Sequence, residues 1–477
     1  MFTNIYDTLT ALNMDGEPEG ILAEKWEIST DGTQYTFHLR QGIKFHDGTD
    51  FNADAVKFTY DRLVDPKTNA PAASWISGYE SAKVIDEHTV TLQLKAPFSP
   101  LMGNTSIAYF GILSPTAVQK EGTNFGHKPV GTGPFMFKEW IPQQTITLVR
   151  NPNYQNFHSY DKNKGAPYLD SLVFKNIPEA QTQVASLQTG EINLLQLPPH
   201  NVADFSKDSN YQVFTDKQST DITFVEFHME KPTGEYGAVY KPPFDDLRVR
   251  QAVAYAINGD VIIKSVLDGL AVRNYGPMPI GLYGYDPKIQ QYGYDYDPDK
   301  AKQLLDEAGW KGSGTRSKNG QSLTVQFWTW NDSTQQQVAQ VLQNQLNQVG
   351  FDVKLTTMEV ATLLGRLGKD GDTSNFDLMG WGWGEPDLLY MMTDTTSGVG
   401  YYHAEDYRKL VTQARQVSDL PQRGKLYFQA AQVMLKDCAM VPLWSDLTVT
   451  AARKEVKDFK LGPQGYYGYM DAYIQKS

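Results

Sequence analysis

A single cysteine, Cys438, stands in 477 residues. That excludes an internal disulfide and a cysteine-rich zinc site, and it fits either side of a bacterial membrane. Cys438 falls in Leu435-Lys436-Asp437-Cys438-Ala439-Met440, a helix-to-strand junction, and reads as a small buried residue, not a nucleophile. Long apolar runs are also missing: no stretch approaches about 20 residues, so no spanning helix is expected. No signal-peptide pattern precedes Ile5-Tyr6-Asp7-Thr8-Leu9, which is apolar enough to be structured, so the chain is expected to begin inside a domain. Basic residues are in the minority, 43 Lys and Arg against 55 Asp and Glu, a net charge of −12. This argues against nucleic acid and anionic membrane surfaces as partners. The eight histidines include no His-x-x-x-His pair, so no metal site is expected. His46 beside Asp47 and His403 after Tyr401-Tyr402 read as solvated or hydrogen-bonded loop residues. There is no Gly-x-Ser-x-Gly elbow, and Pro129-Val130-Gly131-Thr132-Gly133-Pro134-Phe135 is neither a phosphate loop nor a dinucleotide fingerprint. It reads as a turn between domains. Internal repeats, heptads and low-complexity linkers are absent.

What is present describes an ordinary globular chain, 40% hydrophobic and 21% charged, rich in aromatics with 27 Tyr and 9 Trp. Its length suggests about three domains on a ~150-residue prior. Tyr35, Phe37 and Leu39 alternate with Thr36 and His38, the pattern of a half-buried strand. Asn52 is placed to cap a helix through Leu63, and Val84 to Leu94 reads as a second alternating stretch. Thr145 to Val149 and Leu172 to Phe174 read as strands, and Glu179 to Thr189 as a helix stopped by Gly190. Helices are expected from Asp245-Asp246 to Ile257, with Gly259 as a break, from Asp260 to near Gly269, and from Asp297-Pro298 to Gly309. Leu323 to Trp328 is a strand. Ser333 is expected to cap a helix whose Val338, Val341, Leu342, Leu346 and Val349 share one face, followed by a strand from Phe351 to Leu355. Strand, helix and strand make a parallel crossover. Two amphipathic helices, about 405–417 and 421–436, precede the apolar Met440 to Trp444.

The segment around which the chain is organised is Phe376-Asp377-Leu378-Met379 and the following Gly380-Trp381-Gly382-Trp383-Gly384-Glu385-Pro386-Asp387. The first four residues suit the next strand of the same sheet. The alternate glycines suit a packed strand badly, so the chain is expected to leave the sheet there. Open α/β sheets bind ligands beyond the carboxyl ends of their strands. Two indoles on a glycine-flanked backbone beside two carboxylates have the composition of a ligand platform. Trp381, Trp383, Glu385 and Asp387 are therefore the candidate binding residues, with Tyr401 and Tyr109 as weaker ones. As a glycosidase pair Glu385 and Asp387 are poor, being one residue apart on one loop. No catalytic residue and no cofactor is expected.

Leu22-Ala23-Glu24-Lys25-Trp26-Glu27-Ile28, Asp31-Gly32, Tyr35 to Arg40 and Lys44-Phe45-His46-Asp47-Gly48-Thr49 resemble the signature of family 5 extracellular solute-binding proteins, the peptide-binding receptors of ABC importers. Pro129 to Phe135, Leu148-Val149-Arg150-Asn151-Pro152-Asn153-Tyr154, Phe244 to Ala252, Tyr296-Asp297-Pro298 and Gly309-Trp310 agree, so the likeness runs almost end to end. It implies a periplasmic-binding-protein-like α/β fold of two lobes around a cleft plus a small extra α+β lobe. Lobe I would be discontinuous, from residues 1–12, 135–226 and 446–477. Lobe II would be 13–134, and lobe III 227–445 with the main ligand loop at 376–403. The resemblance implies no chemistry, but capture of a small solute by hinge closure and delivery to a membrane permease, as a monomer, in the periplasm or lipid-anchored outside the cytoplasmic membrane. Peptide-binding members carry an acid three residues after the loop tryptophan; here that position is Gly384, with Glu385 as the substitute on offer. Members also begin some tens of residues earlier, with a first lobe I strand and a ligand-facing loop, and both are expected to be missing from this chain. Peptide is the first expectation for the ligand; an oligosaccharide, a nickel complex or another solute is the alternative, and a glycoside-hydrolase-like enzyme the remote one.

Overall fold

The computed structural model describes residues 1–477 apart from 217–218, 231–233, 235, 238, 283, 367–373, 383–386, 394–401 and 476–477, with backbone alone at 364, 379, 381, 382 and 464. The chain divides into two compact units. One comprises residues 1–216, 415–418 and 449–477, the other 217–414 and 419–448.

The first unit holds two apolar cores. In one, strands Ala23–Ile28, Gln34–Leu39, Thr89–Leu94 and Tyr79–Asp86 form an antiparallel sheet in that order. Tyr35, Phe37 and Leu39 face inward with Val90 and Leu92, as their alternation requires. The stretch 84–94 is not a single strand but the two arms and turn of a hairpin, because Glu87 and His88 break the ladder. Helix Ala53–Val64 packs on this sheet, and the Asn52 side chain accepts from Ala55 N at 3.1 Å.

The second core gathers Ile5, Phe135, Leu148, Leu172, Ala452, Val456, Phe459, Tyr469 and Ala472. Both chain ends and the middle thus share one interior. Two three-stranded antiparallel sheets frame it: Phe135–Ile141, Thr145–Arg150 and Ser171–Lys175, then Leu194–Gln196, Val449–Arg453 and Tyr211–Thr215.

The second unit is built on a six-stranded mixed sheet. Its order is Ala271–Arg273, Met440–Asp446, Asp221–Phe227, Phe376–Gly382, Thr324–Trp330 and Asp352–Met358. Thr324–Trp330 runs parallel to both Asp352–Met358 and Phe376–Gly382, with helix Ser333–Val349 as the crossover. Val338, Leu342, Leu346 and Val349 bury its apolar face, and Gly350 ends it at φ 112°.

Three local expectations need correction. The chain does not leave the sheet at Gly380. The strand continues to Gly382, because Gly380, Trp381 and Gly382 pair with Thr223, Ile222 and Asp221 of a central neighbour. The crossover helix is capped by Asp332, not Ser333, since its carboxylate accepts from both Thr334 N and Gln335 N. The helix expected from Asp260 begins one residue earlier, at Gly259, and ends at Ser265; Asn258 caps it by accepting from Val261 N. Cys438 is fully buried after helix Leu420–Lys436, and burial pushes its thiol up to about 12, which makes it inert.

Candidate functional site

Within the first unit lies an open pocket of about 110 Å³, walled by residues between 3 and 21, between 106 and 161 and between 463 and 470. Much of its ring surface comes from Tyr6, Tyr154, Tyr160, Tyr466, Tyr467 and Tyr469. Tyr6 is set by close backbone packing. A Cβ on Gly131 would stand 2.2 Å from the Ile5 carbonyl oxygen and 2.5 Å from Tyr6 Cδ1; one on Gly111 would stand 2.4 Å from Tyr6 Cβ. Only glycine lets these segments lie so near. The Gly/Pro segment expected as a turn between domains is therefore a backing for the pocket wall. Gly133 N donates to Ile5 O at 2.9 Å, and His46 N donates to Gly131 O at 2.9 Å.

Between those glycines Thr132 donates to Asp7 Oδ2 at 2.9 Å, and the Tyr154 hydroxyl donates to Asp7 Oδ1 at 3.0 Å. Burial pushes the Asp7 carboxyl above its ordinary range, against the pull of these donors and of His158. His158 Nδ1 lies 3.4 Å from Glu19 Oε1, and Ser159 N donates to both Glu19 oxygens at 3.2 Å. Burial alone would raise Glu19, but these partners outweigh it and hold the carboxyl low. Asp161 meets Lys460 Nζ at 2.9 Å and accepts from Asn156 Nδ2 at 2.9 Å.

The second unit presents another arrangement at the carboxyl end of its parallel strands. Trp444 Nε1 donates to Asp446 Oδ1 at 2.9 Å, and Thr223 Oγ1 donates to Asp446 Oδ2 at 2.8 Å. Burial pushes the Asp446 carboxyl up to about 6. Thr223 stands opposite both Gly380 and Trp444, and a Cβ on Gly380 would lie 3.5 Å from Trp330 Cη2. Trp330, Thr223, Trp444 and Asp446 thus gather beside the strand that leads into the 376–403 loop.

Of the residues expected to bind ligand, the Trp381 backbone pairs with Ile222 at that sheet end. Its side chain, and all of Trp383, Glu385 and Tyr401, lie outside the described residues. Asp387 is buried and accepts from the Tyr427 hydroxyl at 3.4 Å. Tyr109 belongs to the first unit and is 61% exposed, its ring edge-on to Trp75 at 5.5 Å and 6.4 Å from Phe2. The preceding Ile107 and Ala108 line the tyrosine-walled pocket. Sequence reasoning missed Asp7, Thr132, Tyr154 and the tyrosines of 466–469. The Tyr466-Tyr467-Gly468-Tyr469 cluster was the available signal. It also missed Asp446, for which Trp444-Ser445-Asp446 ending an apolar strand was the clue.

One further cluster has a hydrolase-like order. Ser374 Oγ lies 2.7 Å from His228 Nδ1, and His228 Nε2 lies 2.9 Å from Asp377 Oδ2. Ser374 and Asp377 are fully buried, so this hydroxyl has no access to a substrate.

Residues 17–401 match the model of the bacterial extracellular solute-binding proteins, family 5 Middle. The chain belongs to this family. It is 30% identical to the glutathione-binding protein GsiB of Escherichia coli O1:K1, over 99% of this chain and 89% of the relative. Among solved structures it resembles NikA from Brucella suis in complex with Fe(III)-EDTA, with a TM-score of 0.87 and 26% identity, covering 99% of this chain and 95% of that one. It also resembles the oligopeptide-binding protein AppA from Bacillus subtilis in complex with a nonapeptide, with a TM-score of 0.83 and 27% identity, covering 99% and 94%. The fold is accordingly the α/β fold of family 5 binding proteins, and these relatives are binding proteins. No helix among the described residues is long and apolar enough to cross a membrane.

Proposed function

We propose that the chain captures a small solute outside the cytoplasmic membrane and delivers it to the permease of an ABC importer, without chemistry. The observation that carries this reading is the likeness to GsiB over 99% of the chain, which takes in both compact units and not one module. Capture is by hinge closure of two lobes around the ligand, 1–12 with 135–226 and 446–477 and then 227–445, with 13–134 as the small extra lobe. The two separate cores of the first unit support that division.

A peptide is the first ligand class, favoured by the glutathione-binding relative and by the nonapeptide carried by AppA. Trp381, Trp383, Glu385, Asp387, Tyr401 and Tyr109 remain the proposed contacts; the pairing of the Trp381 backbone with Ile222 at the sheet end supports the first of them. A metal chelate is the second class, favoured by the NikA likeness. Among the described residues no group of three or more His, Cys, Asp or Glu could hold a metal ion, so a metal would arrive inside its own chelator.

Native mass spectrometry of the purified protein, then calorimetry with glutathione, di- and oligopeptides, nickel–histidine and oligosaccharides, tests the reading. The expected result is one solute class bound stoichiometrically and released unchanged. Conversion of any of them to product would overturn it, as would no binding across the panel. Trp381→Ala and Trp383→Ala should each weaken the bound solute about thirtyfold, the worth of a central aromatic anchor.

A further inference from the structure

We propose that the tyrosine-walled pocket of the first unit is a subsite for an uncharged ring, of the phenyl or phenol class, carried by the captured solute. This rests on the receptor reading for the source of the ring, but the pocket's own chemistry selects it.

The walls offer ring faces and edges. Tyr467 and Tyr469 stand edge-on at 6.0 Å, and the Tyr160 ring lies 5.2 Å from His158. Aromatic groups favour such edge and offset arrangements. At about 110 Å³, the pocket is on the scale of a cavity that takes a single aromatic ring.

Its charged side chains already face partners within the protein. Among the described residues lining it there is no lysine or arginine to neutralise an anion, and the histidine on the wall, His158, faces Glu19. Tyrosines aside, the titratable side chains on the wall are Asp7, His158 and Asp161. Asp7 is held by Thr132 and Tyr154, His158 by Glu19, and Asp161 by Lys460 and Asn156. An incoming cation would have to compete for carboxylates that already have donors. Burying a charge without a partner is far costlier than burying a neutral ring. The pocket therefore discriminates by charge while accepting the ring itself.

Three probes with one ring separate these terms: 4-hydroxyphenylacetamide, which is neutral, 4-hydroxyphenylacetate, an anion, and tyramine, a cation. Titrated into the full chain by NMR, the amide is expected to bind at least about tenfold tighter than either charged probe. Tyr466→Ala removes a wall ring that is 44% exposed and so is dispensable to the core; it should weaken the amide about tenfold, while Tyr466→Phe keeps the affinity. Ala108→Trp, from the opposite stretch of lining, should fill the pocket and abolish amide binding. Equal affinity for the three probes, no binding of the amide, or an amide indifferent to Ala108→Trp would each overturn the proposal. If a peptide binds the parent and these variants alike, the receptor reading stands and the ring subsite falls. If the amide follows the expected pattern while no solute binds, the subsite stands and the receptor reading falls.

Discussion

Replacing Gly131 with alanine should unseat the wall that carries Tyr6. The new Cβ would lie 2.2 Å from Ile5 O, 2.5 Å from Tyr6 Cδ1 and 3.0 Å from Ile5 C, and contacts under 3.0 Å essentially never occur. The nearest atom is backbone, in a residue with no exposed surface, so no side-chain rotation relieves the clash. The segment through Gly131 and Gly133 must instead retreat from Asn4–Tyr6. That retreat strains the Gly133 N to Ile5 O and His46 N to Gly131 O hydrogen bonds, both 2.9 Å, and the Thr132 to Asp7 bond. Overpacking costs about 1–3 kcal/mol, and each hydrogen bond lost adds about 1 kcal/mol. A loss of about 4 kcal/mol lowers the melting temperature of a unit this large by roughly 8–16 °C. Differential scanning calorimetry on the parent and Gly131→Ala measures it. Gly126→Ala is the control, since a Cβ there meets nothing within 4 Å. If Gly131→Ala melts within about 2 °C of the parent, the close approach is not a requirement of the fold and the account of Tyr6 is wrong.

Asp332→Ala should cost about 1 kcal/mol in the second unit and Ser333→Ala almost nothing, because the Asp332 carboxylate makes the cap; equal losses by chemical denaturation would return the cap to Ser333. Asp446 has its carboxyl raised to about 6 from 3.8, so the folded state favours its protonated form. The stability this adds is whole below about pH 4 and is lost as pH rises through about 6, about 3 kcal/mol in all. Asp446→Asn should flatten the fall in melting temperature across that window, and an unchanged slope would assign it to another group. Arg316 is 6% exposed and donates to Val349 O and Trp310 O, each at 2.9 Å, and to Asp306 at 2.8 Å. Arg316→Met should therefore destabilise the second unit by about 3 kcal/mol, and a loss below about 1 kcal/mol by urea titration would mean that water replaces these donors.

Much of the secondary structure was legible because local chemistry and tertiary burial agree. Tyr35, Phe37 and Leu39 alternate and are buried, Asn52 and Asp297 cap the helices they precede, and Gly190 and Gly350 end helices at positive φ. The failures fall where a long-range partner overrode a local signal. Gly380 and Gly382 read as strand breakers, yet the ladder with Asp221–Phe227 continues through both, while pairing with Thr324–Trp330 ends at Asp377. A Cβ at Gly380 would meet Trp330 Cη2 and Thr223 Oγ1 at 3.5 and 3.6 Å, ordinary van der Waals contact. At Asp332-Ser333 two good cap residues adjoin, and a carboxylate with two lone-pair-rich oxygens takes both amides. Composition makes the Trp-Gly-Trp stretch a candidate ligand platform, and the Trp381 side chain and Trp383 lie outside the described residues.

The tyrosine-walled pocket was invisible for a different reason. Its central hydrogen bonds join Asp7 to Thr132 and Tyr154, 125 and 147 residues away in sequence. No window of the chain contains that unit, and each member has an adequate local explanation: a polar residue near the start, a Gly-Thr-Gly turn, an Asn-Pro-Asn-Tyr turn. Only the path of the chain makes them one object. The core beside them is also built from both ends, with Ile5 packed in the same cluster as Ala452, Tyr469 and Ala472. A buried carboxyl with an elevated proton affinity is unfavourable in isolation. Here it fastens the opening stretch to two later segments: losing Asp7 takes the acceptor from both Thr132 and Tyr154, and losing either donor frees one Asp7 oxygen. The same discontinuous interior that makes the Asp7 cluster necessary brings Tyr6 and Tyr466 onto the wall of one pocket. The ring-accepting surface is thus a consequence of how the first unit closes its core.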